Sequence, residues 1–204
     1  MKKLDILAAL IIGEIDAWLI ILIAKNIKET IAGYPFLPPL INFLPIILPI
    51  LAVLAVFVAH FIGKKILVIF QFVKFALVGT LNTFIDLGVL NLLILISGIA
   101  SGLLFSVFKG ISFIMAVVNS YFWNKFWTFK KKKTVRAPKE FLQFFLITVI
   151  GFLINVGIAS LIVNVFGPQF GMTENLWANV GGITAAIIAS IWNFCGYKFI
   201  VFKK

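Results

Sequence analysis

Six long apolar runs divide the chain: roughly Leu4 to Ala24, Leu40 to Gly63, Phe72 to Ser97, Gly102 to Trp123, Phe141 to Phe166 and Leu176 to Ile200. A helix needs about 20 such residues to cross the hydrocarbon core of a bilayer. The runs are continuous and lack alternation, which selects helices over barrel strands. With 62% hydrophobic and 12% charged residues among 204, polar side chains are too few to enclose a water-soluble core. The expected fold is an all-α integral membrane protein with six transmembrane helices.

The cations say how the helices are oriented. Lys2, Lys3, Lys64, Lys65, Lys130 to Lys133, Arg136, Lys139, Lys203 and Lys204 all sit at the ends of apolar runs. The turn from Ser97 to Gly102 is uncharged, and the loop from Gly167 to Asn175 carries only Glu174. The positive-inside rule therefore predicts that both termini are cytoplasmic. This placement accounts for the net charge of +11 without nucleic acid as a partner. The same lysines are expected to attract anionic membrane lipid. The first run carries Glu14 and Asp16 and lacks a small-residue cleavage site, so it is read as retained and not as a signal peptide. Cys195 is the single cysteine, and no intrachain disulfide can form.

The last four runs contain a repeat. At an offset of 69, Phe72, Phe75, Leu77, Gly88 and Leu92 meet Phe141, Phe144, Leu146, Gly157 and Leu161. At an offset of 73, Ala116, Lys125, Phe126, Phe129, Lys130 and Lys131 meet Ala189, Lys198, Phe199, Phe202, Lys203 and Lys204. Two helices per copy return the chain to its starting side, so the repeats are expected to be parallel. This divides the chain into two amino-terminal helices (1–69) and a four-helix domain (70–204), with repeats at 71–133 and 140–204. Small residues recur every fourth position at Ser112, Ala116 and Ser120, and again at Ala185 and Ala189 before Asn193. Such rows let helices approach closely in lipid. Pro38, Pro39, Pro45 and Pro49 crowd the start of the second run; a proline-kinked helix and a re-entrant segment both fit them.

Polar groups inside the runs are the candidates for function, because a charge at mid-membrane costs about 2.5–3.5 kcal/mol on insertion scales. Asp86 lies near the centre of the third run, with Asn82 one turn earlier on the same face. Lys109 enters from the outer end of the fourth run at a depth within about 5–10 Å of Asp86, where an ion pair fixing helix register and a substrate contact are both open. Asp86 corresponds to Asn155 in the second copy, and Lys109 to Gly182. Lys74, Asn119, Asn124 and Lys125 gather toward the lysine-rich end, with Asn193 and Lys198 in the sixth run. Lysines and aromatics at this depth, Trp123 and Trp127 included, commonly serve as interfacial anchors. The amides add donors that an anchor does not need, and with the lysines they form a candidate site for an anionic phosphate headgroup. Glu14 is expected to face inward, while Asp16, about 200° away around the helix, needs another partner. His60 and its surroundings lack metal-ligand spacing. No phosphate loop, nucleophile elbow or zinc-binding helix appears, so the chain is not expected to be an enzyme or to hold a cofactor.

Lys74-Phe75, Val78-Gly79, Asp86 and the stretch from Asn119 through Asn124, Lys125 and Phe129 resemble the GtrA-like family of bactoprenol-linked glucose translocases, over roughly residues 70 to 204. The resemblance implies a multi-pass plasma-membrane protein that flips polyprenyl-phosphate-linked sugar for cell-surface polysaccharide synthesis. It singles out Lys74, Asp86, Asn119, Asn124 and Lys125. The second copy departs from the motif, with Gln143 at the cation position and Thr148 where Gly79 stands. Two other readings stay open. The chain is a scaffold recruiting a cytosolic polyprenyl-phosphate glycosyltransferase through the basic loop Lys130 to Lys139, or it is a transporter of small solutes or ions. A homodimer is expected, since four core helices enclose little volume.

Overall fold

The computed structural model describes residues 2–26, 36–99, 102–131, 137–171 and 174–203. Among these the chain is helical throughout: α1 (Lys3–Asn26), α2 (Leu37–Gly63), α3 (Leu67–Ser97), α4 (Gly102–Trp123), α5 (Ala137–Ser160) and α6 (Glu174–Gly196). Three of them run on into π-helical turns, α4 into Asn124–Thr128, α5 into Leu161–Phe166 and α6 into Tyr197–Val201. Among the described residues, Lys3–Lys25, Leu37–Gly63, Leu67–Ser97 and Ala137–Ile158 are helices long and apolar enough to cross a membrane, and Ile187–Val201 is a shorter apolar helix. Large apolar side chains cover the outer surface, as a lipid solvent permits: Trp18, Phe43, Ile96, Phe152 and Phe199 are all exposed.

Two compact units make up the chain, Met1–Lys130 and Lys131–Lys204. In the first, α1 packs on α2 and α3, α2 on α3, and α3 on α4. Its core joins Ala8, Ala9 and Ile12 of α1 to Ala52, Val56 and Ala59 of α2 and to Phe70, Val78 and Leu81 of α3, with Trp127 of the π turn closing one end. Small residues on α1 and α2 let the two backbones come close. A Cβ on Gly13 would stand 2.5 Å from Pro49 Cα, so only glycine allows this approach. The prolines do not break α2, which is one helix from Leu37 to Gly63 with Pro45 and Pro49 inside it. Pro38 falls in the first turn, where its missing N–H leaves no bond unmade.

In the second unit α5 and α6 form a helical hairpin around Phe144, Ile147, Ala185, Ala189, Phe194, Tyr197, Val201 and Phe202. The rows of small residues are buried as anticipated, Ser112 and Ala116 on α4 and Ala185 and Ala189 on α6. The repeat extends to backbone detail. The π turns Asn124–Thr128 and Tyr197–Val201 lie at the offset of 73, each closed by one wide bond, Phe129 N–H to Asn124 O at 2.9 Å and Phe202 N–H to Tyr197 O at 2.8 Å.

Candidate functional site

The lysine-rich end of the first unit holds the densest set of buried polar groups. An i→i+5 turn is wider than an α turn, and the one at Asn124–Thr128 directs Asn124, Lys125, Trp127 and Thr128 into the interior. Lys130 follows in the left-handed region, φ 55°, a conformation that costs a side-chain-bearing residue about 1–2 kcal/mol.

Lys74, on α3, is fully buried, and its ammonium pairs with the buried carboxylate of Asp5 from α1. Asp5 Oδ1 is also 3.9 Å from Lys130 Nζ, and Asp5 Oδ2 accepts the backbone N–H of Lys2 at 3.3 Å. Aromatic faces complete the enclosure. Lys74 Nζ lies 4.5 Å from the centre of the Phe70 ring and 4.9 Å from that of Trp127, within the range of cation–π attraction. Burial strengthens each of these interactions by excluding water. Three buried atoms on the adjoining turn have no hydrogen-bond partner among the described residues: Asn124 Oδ1, Trp127 Nε1 and Thr128 Oγ1.

Farther along α3, Asn82 and Asp86 lie one turn apart on one face, and Lys74 lies about 12–18 Å back along the axis and about 80–120° around the helix from them, with Val78 of the apolar core between. Asn119 Nδ2 donates to Asn82 Oδ1 at 2.8 Å, and Ser112 Oγ to Asp86 Oδ1 at 2.6 Å. Both bonds join α3 to α4 across the small-residue row. Asn124 Nδ2 turns back onto its own helix, to Ser120 O at 2.9 Å and Ser120 Oγ at 3.2 Å. Lys125 Nζ donates to Tyr121 OH at 3.0 Å and lies 5.4 Å from the Phe126 ring centre. The Lys109 side chain lies outside the described residues, so its expected approach to Asp86 does too, as do residues 132–136 of the basic loop.

The second unit is arranged otherwise. Asn155 is half-buried on α5. Asn193 packs its amide against Gly151, where a Cβ would collide with it, and its Oδ1 has no partner among the described residues. Lys198 Nζ rests over Phe194 and Phe199, 5.6 and 5.4 Å from the ring centres. Tyr197 OH and Thr148 Oγ1 are 2.6 Å apart, and the Tyr197 ring stacks on Phe144 at 4.3 Å. Thus Lys74, Asn82, Asp86, Asn119, Asn124 and Lys125 share one unit, while Asn155, Asn193 and Lys198 belong to the other.

A family model described as GtrA/DPMS, transmembrane domain, matches residues 74–202. The chain belongs to this family. Comparison with curated proteins and with solved structures returned no match. The GtrA/DPMS match begins at Lys74 and covers α3 through α6. Asp5, the partner of its first residue, is supplied from outside the matched region.

Asp5 was not among the residues singled out from the sequence. The available signal was an acid set among Lys2 and Lys3, at the end where cations are the rule. Trp127 departs from the anchor reading, because it is 3% exposed and closes the core. Glu14 departs from the inward reading, and Asp16 finds the other partner it needed. Glu14 accepts the indole N–H of Trp18 on its own helix at 2.8 Å, while Asp16 is buried against Thr80 of α3.

Proposed function

We propose that the protein carries polyprenyl-phosphate-linked sugar across the membrane, moving the sugar and phosphate past hydrocarbon while the polyprenyl tail stays in lipid. The observation that supports this reading best is the set of polar groups on α3 and α4 in the part of the chain matched by the GtrA/DPMS model. It comprises the buried ammonium of Lys74 and, farther along α3, the Asn82 and Asn119 amides, Asp86 and Ser112. A phosphate needs cations and oriented donors, and a sugar needs paired hydrogen-bonding groups in place of water. These groups supply the two in that order along α3. In this reading all six long helices span the plasma membrane with both termini cytoplasmic, and the lysine-rich end faces the leaflet where the lipid-linked sugar is loaded. The protein makes and breaks no covalent bond and needs no cofactor. A glycosyltransferase supplies its substrate, and a second copy completes the enclosure.

Reconstitution tests it. Liposomes carrying polyprenyl-phosphate sugar in both leaflets are treated with an impermeant reagent that consumes the outer pool. Depletion of the inner pool should be faster with the protein than without it. Equal rates across several sugars would overturn the reading.

A further inference from the structure

Among the described residues, the counter-ion of the Lys74 ammonium is the Asp5 carboxylate that α1 brings. The region matched by the family model starts at Lys74, so Asp5 lies outside it. A buried ammonium in apolar surroundings requires an anion. Two ammonium groups, Lys74 and Lys130, address the one Asp5 carboxylate, which leaves one positive charge over. Trp127 Nε1 and Thr128 Oγ1 are donors without an acceptor among the described residues. A phosphate has more acceptor oxygens than a carboxylate and spreads them tetrahedrally, so it suits a site that two ammonium groups address.

Beside this cluster an apolar groove of about 310 Å³ runs between α1 and the end of α4. Leu4, Leu7 and Ile11 line one wall, and Phe122, Phe126 and Trp127 the other. Trp127 is common to the groove and to the cation cluster. Leu4 and Leu7 flank Asp5 on the same helix, so whatever fills the groove bears on the element that holds the carboxylate in place.

We infer that Asp5 is a built-in stand-in for a lipid phosphate. It occupies the Lys74 and Lys130 site until an isoprenyl phosphate lays its chain in the groove and its headgroup on the lysines, and α1 thereby gates the site. The inference rests on the proposed function for the choice of an isoprenyl phosphate. The exchange is charge for charge: one anion leaves the ammonium pair as another arrives, so neither state buries an uncompensated lysine.

The test uses the full chain in nanodiscs and a C15 isoprenyl monophosphate as probe, with the C15 isoprenol, inorganic phosphate and a straight-chain phosphatidic acid as comparisons. Asp5→Asn keeps the shape and removes the charge, and it should bind the isoprenyl phosphate at least tenfold more tightly than the parent chain. Adding Lys74→Gln should abolish that gain, and the isoprenol should show none of it. An unchanged or weakened affinity in Asp5→Asn overturns the inference, and an equal gain for phosphatidic acid overturns the isoprenyl occupant. Should Asp5→Asn fail to fold, the parent chain decides. Isoprenyl phosphate, and not isoprenol or inorganic phosphate, should raise amide hydrogen exchange over residues 3–10, and unchanged exchange overturns the gate. A binding gain in a protein that translocates no sugar would uphold the site and remove the transport reading. Translocation without the gain would do the reverse.

Discussion

The two π turns that end α4 and α6 have the same backbone and opposite chemistry. At Asn124–Thr128 the turn carries buried polar atoms without partners and lies against an ion pair. At Tyr197–Val201 only Tyr197 and Val201 are buried, and Ile200 is exposed. Tyr197 stands in the place of Asn124 and meets Thr148, Val201 replaces Thr128, and Ile200 replaces Trp127. Gln143 takes the position of Lys74. Lys131 then seals the end, donating to Val201 O at 2.9 Å and pairing with Glu140 at 2.9 Å. The two ends thus differ: the first buries an ion pair beside unpartnered polar atoms, and the second buries aromatic packing. Burying polar groups without full satisfaction destabilises the first end, and such a cost is retained at functional sites.

Seven substitutions, grouped in four tests, probe the comparison. The largest contrast is Lys74→Met against Gln143→Met. Removing one member of a buried ion pair costs about 3–5 kcal/mol, so Lys74→Met should lower the thermal midpoint in detergent markedly and reduce sugar translocation at least tenfold. Gln143→Met should change stability by about 0.5 kcal/mol or less and leave translocation in place. Equal effects would break the comparison.

Tyr197→Ala comes next, at about 3–5 kcal/mol for the lost ring. Its counterpart Asn124→Ala should cost about 1 kcal/mol but impair translocation per folded molecule, which Tyr197→Ala should not. Gly151→Ala sharpens the picture inside the second unit. The added methyl should cost about 1–3 kcal/mol through overpacking against Asn193, and Asn193→Ala in that background should recover most of it. Ser112→Ala is the smallest change, about 1 kcal/mol for one hydrogen bond, with a detectable slowing of translocation because Asp86 loses a partner.

Several features of the molecule were legible before any coordinates. Periodicity and run length placed the helices, and the small residues at 112, 116, 185 and 189 marked buried faces, because close helix approach in lipid leaves few alternatives to Gly, Ala and Ser. Asn82, Asp86 and Asn119 were recognisable as interior polar groups, since each would be costly against hydrocarbon. The register that gives Asp86 to Ser112 and Asn82 to Asn119 was not, because it depends on how α3 and α4 slide past each other. Trp127 looked like an anchor, since an aromatic next to lysines is the usual mark of the interface. Its burial follows from the π turn, a local widening that no residue type announces.

What the sequence by itself determined is the solvent of this protein, its helices, its duplication and the end at which its cations collect, because each follows from the local cost of placing apolar or charged groups in lipid or water. What only the tertiary structure decided is which charges meet. Asp5 and Lys74 are 69 residues apart, and their pairing exists because α1 packs beside α3 at the depth that brings a carboxylate to a buried ammonium. Pairings of that kind are set by the packing of whole helices, which sums many weak contacts along their lengths, and no short stretch of sequence carries that sum.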